Sequence, residues 1–169
     1  VSGTEVKRHY VQDVIDKMVA AVQAARAKGA KSIGVNAEDA SRTDDEFLIR
    51  FALAAREAGA DRIRYCDTLG CDSPFSIYDK IKLLAQEVQI PIELHCHNDL
   101  GMGVACSVAG AKGAIDAGVD AYINTTVNGM GERAGNADLV AVIVALKYGN
   151  YCKDKYEMDS RIDLSHAWK

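Results

Sequence analysis

The chain repeats itself about every thirty residues, and that period restricts its architecture more than any other feature. Short β-rich runs begin at Ser32 (SIGVN), Arg62 (RIRYC), Pro91 (PIELH) and Ala121 (AYINTT), with starts 30, 29 and 30 residues apart. Three are introduced by similar words, AKGAK, EAGAD and DAGVD. Gly29, Gly59 and Gly118 fall where a helix should end, a position at which glycine takes positive φ without steric cost. Helical periodicity fills the gaps. Val11, Val14, Ile15, Met18 and Val22 mark one helix. Phe47, Leu48, Phe51, Ala52 and Ala55 mark the next, after a capping-box word running from Thr43 to Glu46. Ser73-Pro74 predicts an N-cap and first helical residue ahead of Ile77, Ile81 and Leu84. Val104, Val108, Ala111 and Ile115 mark a fourth helix; Leu139, Val140, Ile143 and Leu146 mark a fifth, closed by Gly149.

Strands alternating with helices of this length predict parallel βα units. An even period favours a closed (β/α)8 barrel, in which each unit is equivalent, over an open doubly wound sheet. A full barrel takes about 250 residues, and this chain of 169 shows four strands. The expected fold class is therefore α/β, a partial (β/α)8 TIM barrel: the C-terminal four βα units, preceded by one helix. Residues 1–149 are expected to form that half-barrel, and residues 150–169, which break the rhythm, to begin a post-barrel linker or subdomain. Such a half should expose two strand edges and an apolar interior, so a homodimer or a pairing with the missing half is expected.

Charge and cysteine content narrow the surroundings. A formal net charge of −4 disfavours nucleic acid and acidic membranes, both of which select basic surfaces. No apolar run approaches the ~18 residues that span a bilayer. Five cysteines cannot all pair within one chain, and Cys66 and Cys71 lack a zinc-ligand spacing, so a reducing cytoplasm is expected.

Polar residues gather after each strand, the edge where parallel βα proteins place their chemistry. His95 and His97 alternate with Cys96, so both imidazoles share a face and could bind a divalent metal; two hydrogen-bonded core histidines are the alternative. Asn98-Asp99 suits an N-cap. Glu38 and Asp39 suit acid/base work or the next helix N-terminus. Thr68 suits a substrate oxygen or an ordinary turn, and Arg42 a substrate carboxylate or the surface. The glycines at 129, 131 and 135 match neither the dinucleotide fingerprint nor a P-loop. A bend that returns Asn136 or Arg133 over the barrel mouth fits them better. Cys66 and Cys96 are expected on the outer, helix-facing side.

GVNAEDASRTDDEFL, RYCDTLG, ELHCHNDLGM and INTTVNGMGERAGNADL, spread over residues 1–149, resemble the homocitrate synthase and α-isopropylmalate synthase family of metal-dependent acyl-CoA condensing barrels. AEDASRTD and the stretch from Asn124 to Val140 are most similar to homocitrate synthases of nitrogen-fixing bacteria. The resemblance implies Claisen condensation of acetyl-CoA with a 2-oxo acid, 2-oxoglutarate giving homocitrate, then thioester hydrolysis. Isopropylmalate synthase, citramalate synthase and a non-catalytic metal-binding or complementing subunit are the alternatives. It implies a divalent metal (Zn, Mn, Mg or Fe) on His95, His97 and Asn136, a catalytic Glu38, and substrate binding by Thr68. The resemblance also implies an N-terminal strand with an Arg-acidic pair and a C-terminal lid, both of which are expected to lie outside these residues. The chain is expected to start at the end of the fourth barrel strand, and to be inactive alone.

Overall fold

The computed structural model describes residues 3–153, 155, 156, 160–165 and 167, with side chains from Tyr10 onward. The sequence start at Val1-Ser2 and several residues of the 150–169 segment lie outside the described residues. Elements follow in the expected alternation: α1 (Gly3–Ala27), β1 (Gly34–Ala37), α2 (Asp45–Ala58), β2 (Arg62–Asp67), α3 (Pro74–Val88), β3 (Ile92–Cys96), α4 (Gly103–Asp116), β4 (Ala121–Ile123) and α5 (Leu139–Tyr148). The four strands form one parallel sheet in sequence order, β1-β2-β3-β4. Helices return each strand to the same starting edge, as parallel pairing requires. Four parallel units in order make a partial (β/α)8 barrel.

The core lies between the sheet and its helices. Val35 and Ala37, Ile63 and Tyr65, and Ile92, Leu94 and Cys96 point outward from alternate strand positions. They pack on Leu48, Phe51, Ile77, Ile81, Leu84 and Ala114, all buried. Tyr65 is fully buried, and its hydroxyl donates to Asp72 at 2.7 Å.

The helix ends follow local chemistry. Gly59 caps α2 at φ 105°, and Gly29 and Gly118 also take positive φ, as their positions require. Ser73 caps α3 in a reciprocal box with Ser76. Two expectations shift. The N-cap of α2 is Asp44, whose backbone is non-helical and whose carboxylate accepts from the Phe47 amide at 3.2 Å, so the helix starts one residue later than a Thr43 cap would place it. Asn98 accepts from the Gly103 amide at 2.9 Å without being the N-cap, a place Met102 takes. Gly149 ends α5 at φ −62°, so it stops the helix without a left-handed residue.

Candidate active site

The barrel face is built by the other strand parity. Asn36 and Glu38 from the first unit, Arg62, Arg64, Cys66 and Thr68 from the second, and Glu93, His95 and His97 from the third share it. The pairing register places Arg64 beside Glu93 and Cys66 beside His95. This corrects the expectation for Cys66. Its thiol lies on the barrel side, 3.8 Å from the Glu38 carboxylate, and only Cys96 faces the helices. Partners across a parallel ladder share a face, and His95 settles which one. Burial pushes the Cys66 thiol up to about 12, and the neighbouring Glu38 charge adds to the effect, so it is a weak donor and not a thiolate.

The interior is not apolar either. Arg62 and Arg64 converge on Glu93 from β2, at 2.8 and 2.7 Å, and Asn124 reaches the same carboxylate at 3.4 Å. Burial alone would raise the Glu93 pKa, but the hydrogen bonds from Arg62 and Arg64 outweigh it and hold the carboxyl below its usual range. A depressed folded pKa adds stability that is complete above the unfolded value of about 4.3 and is lost as pH falls through the folded one. Replacing Glu93 with alanine leaves two guanidiniums facing each other. Because the arginine side chains remain 30% and 28% exposed, the expected cost is about 1–3 kcal/mol, below that of a fully buried pair. Urea denaturation should show that loss at pH 7 and a progressively smaller one as pH falls below the ordinary glutamate range.

At the strand ends, His95 and His97 stand edge to face with ring centres 5.1 Å apart. His95 Nδ1 meets Asn124 Oδ1 at 2.9 Å. With the amide oxygen as acceptor, that contact puts the proton on Nδ1 and leaves the Nε2 lone pair available, an arrangement that orients metal-ligating histidines. The glycine-rich bend after β4 then folds back. The Ala137 amide donates to Cys96 O at 3.2 Å and the Asn98 amide to Gly135 O at 2.9 Å. His97 and Asn136 pair across an antiparallel bridge. Both are buried, and His97 Nδ1 and Asn136 Nδ2 have no hydrogen-bond partner. Burial lowers the His97 pKa, and the neighbouring His95 ring and the Arg133 guanidinium lower it further, which favours the neutral imidazole.

Glu38 lies two strands away, about 10 Å at ordinary strand spacing. Thr68 Oγ1 donates to Glu38 at 3.3 Å and accepts from the Asp39 amide at 2.8 Å. Arg42, largely exposed, forms a two-pronged pair with Asp39 at 2.9 and 2.5 Å. That bond holds the Asp39 carboxyl below its usual range. The structure thus brings together His95, His97 and Asn136 as one group and Glu38 with Thr68 as another, while Arg42 is joined to Asp39. Sequence reading missed Asn124, Arg62, Arg64 and Glu93. The alternation Arg62-x-Arg64 and Glu93-x-His95-x-His97 could have revealed the charged face.

Among the described residues, no group of three or more His, Cys, Asp or Glu side chains could hold a metal ion. The donor set that fits one is mixed: two imidazoles and the Asn136 amide. Orphaned buried polar atoms on two residues paired across one bridge are what an absent ligand leaves. The side-chain amide can present its oxygen where its nitrogen now lies, since the two are interchangeable by a flip. These three residues could supply only part of a ligand set, and a complete one would need further oxygen or nitrogen donors.

The fold and this edge define a (β/α) barrel segment with a histidine-rich mouth, and residues 4–169 match the family described as HMGL-like. The chain belongs to that family. It is 56% identical over its whole length to a citrate (Re)-synthase of Dehalococcoides mccartyi. It is 50% identical over 154 residues, 91% of the chain, to 2-isopropylmalate synthase 2 of Caldanaerobacter subterraneus subsp. tengcongensis. It is 50% identical over 115 residues, 68% of the chain, to homocitrate synthase 1 of a Nostoc species. The chain spans 41%, 37% and 29% of those relatives. Among solved structures, the carboxyl transferase domain of Rhizobium etli pyruvate carboxylase with pyruvate superimposes on 78% of the chain and 23% of that structure, with TM-score 0.60 and 22% identity. The likeness supports the fold. No helix among the described residues is long and apolar enough to cross a membrane.

Proposed function

We propose that the chain is the C-terminal half of the catalytic barrel of a synthase that condenses acetyl-CoA with a 2-oxo acid. The observation that carries this reading is the convergence of His95, His97 and Asn136, two of them with orphaned buried polar atoms, at the strand ends of a chain from this family. His95, His97 and Asn136 would hold a divalent cation there, and such an ion polarises a 2-oxo acid carbonyl as a Lewis acid. Asn124 fixes the His95 tautomer. Glu38, held by Thr68 and Cys66, is the chain's acid/base group for the methyl proton of acetyl-CoA. Thr68 would also bind a substrate carboxylate, and Arg42 would reach one only by exchanging it for Asp39. Residues 150–169 begin a segment beyond the barrel. The open, charged sheet face and unpaired β1 edge support pairing with the preceding barrel half, within one subunit or a dimer.

The acceptor we assign first is oxaloacetate, because the citrate (Re)-synthase matches the entire chain at 56% identity. The homocitrate reading, with 2-oxoglutarate, stands second on 50% identity over 115 residues. Release of CoA from acetyl-CoA, followed by thiol titration with oxaloacetate, 2-oxoglutarate, 2-oxoisovalerate and pyruvate, separates these. The chain alone should release none above background. Joined to the preceding barrel half, it should respond to oxaloacetate most strongly. Release with none of the four acids by the assembled barrel would overturn the reading.

A further inference from the structure

The candidate site residues form two groups at opposite sides of the barrel mouth. Glu38 and Thr68 follow β1 and β2; His97 and Asn136 follow β3 and β4. One side chain reaches toward both. Arg133 Nη2 donates to the Thr68 carbonyl at 2.5 Å, while Nε and Nη2 donate to the two Asp99 oxygens at 2.9 and 3.0 Å. Thr68 in turn bonds Glu38, and Asp99 stands two residues from His97. The turns after β2 and β3 are already pressed together. A Cβ on Gly70 would come within 2.8 Å of the Asp99 amide nitrogen and 3.0 Å of the His97 carbonyl. Arg133 itself holds a left-handed backbone, φ 53°. Such strain in a non-glycine residue persists only where its surroundings over-determine it.

We propose that Arg133 is the positioning residue that locks the bend 127–137 across the barrel mouth, holding Asn136 beside His97 and the Thr68 turn beside Glu38. It acts through Thr68 and Asp99, without touching the reacting atoms. The functional half of this proposal rests on the metal-site reading above. An isolated exposed ion pair would contribute little. The difference here is geometry: a planar fork grips both carboxylate oxygens and a carbonyl together, which a single ammonium cannot do.

Two variants test it. Arg133→Asn keeps a residue that tolerates the left-handed backbone and removes the fork. Arg133→Lys keeps the charge and can engage only one arm at a time. Amide hydrogen exchange reads the bend through the amides of Asn98, Asn136 and Ala137, each bonded across it. The Asn variant should speed their exchange about tenfold or more with α2 amides unchanged, and the Lys variant should fall between. Wild-type protection in Arg133→Asn would overturn the proposal, and so would uniform acceleration across the chain, which means general unfolding. Co2+ affinity supplies the second readout, with a loss of about tenfold or more expected in Arg133→Asn. Faster exchange with unchanged Co2+ affinity would refute the role at the site. A wild-type chain that takes up no Co2+ defeats the metal-site reading, and the exchange data still decide whether Arg133 locks the bend.

Discussion

Replacing His97 with alanine is expected to weaken divalent-cation binding by on the order of a hundredfold or more, since removal of an outer partner alone costs 10–100-fold. The residue is 8% exposed, its Nδ1 has no protein partner, and its burial favours the neutral ring, able to donate a lone pair. The large majority of buried side-chain polar atoms in folded proteins have a hydrogen-bond partner. His95→Ala should act alike. Asn124→Ala should fall within the smaller range, because it frees the His95 ring without deleting it. Titration with Co2+, followed by its visible absorption, gives the affinities, and far-ultraviolet circular dichroism checks that each variant folds. Affinity for His97→Ala within twofold of wild type would return His97 to the status of a core residue.

The second large effect is on stability. Gly135→Ala should destabilise the chain by about 2–5 kcal/mol, from left-handed strain together with a steric clash. Gly135 has φ 89°, and a Cβ there would collide with the backbone carbonyl of Gly129, which the Asn136 amide already fixes at 3.0 Å. A flexible neighbour could move aside, but a hydrogen-bonded carbonyl cannot. Gly101→Ala is the matching control. Gly101 also has positive φ, 71°, yet nothing lies within 4 Å of the added carbon. It should cost only about 1 kcal/mol, the strain alone. Urea midpoints measure both. Equal losses would mean that the bend has room to relax and does not hold Asn136 in place.

Much of this architecture was legible because its rules are local. The period located all four strands, since an apolar run repeats with each unit and a helix-ending glycine precedes three of them, Gln89 taking that place before β3. The Ser73-Pro74 cap was visible for the same reason: its partners lie within one turn. The α2 cap moved by one residue because Thr43 and Asp44 both satisfy the local pattern, and backbone geometry chose between them. Cys66 was harder. A lone strand reveals alternation but not which parity faces the barrel, and the pairing of Cys66 with His95 is non-local. The same limit hid the Arg62–Glu93–Arg64 floor, whose members lie about thirty positions apart. The approach of Asn136 to His97 depends on a backbone bend through several positive-φ residues, among them Asn128 and Arg133, which the glycine spacing only hinted at.

In the proposed site His95 and His97 share one metal ion with Asn136. Crystals of the chain soaked in Co2+ and measured on both sides of the cobalt absorption edge would locate it directly. A single anomalous peak about 2.0–2.2 Å from an imidazole nitrogen of each histidine is expected, with the Asn136 amide oxygen turned toward it. A peak at any other place, or none at this pair, would contradict it.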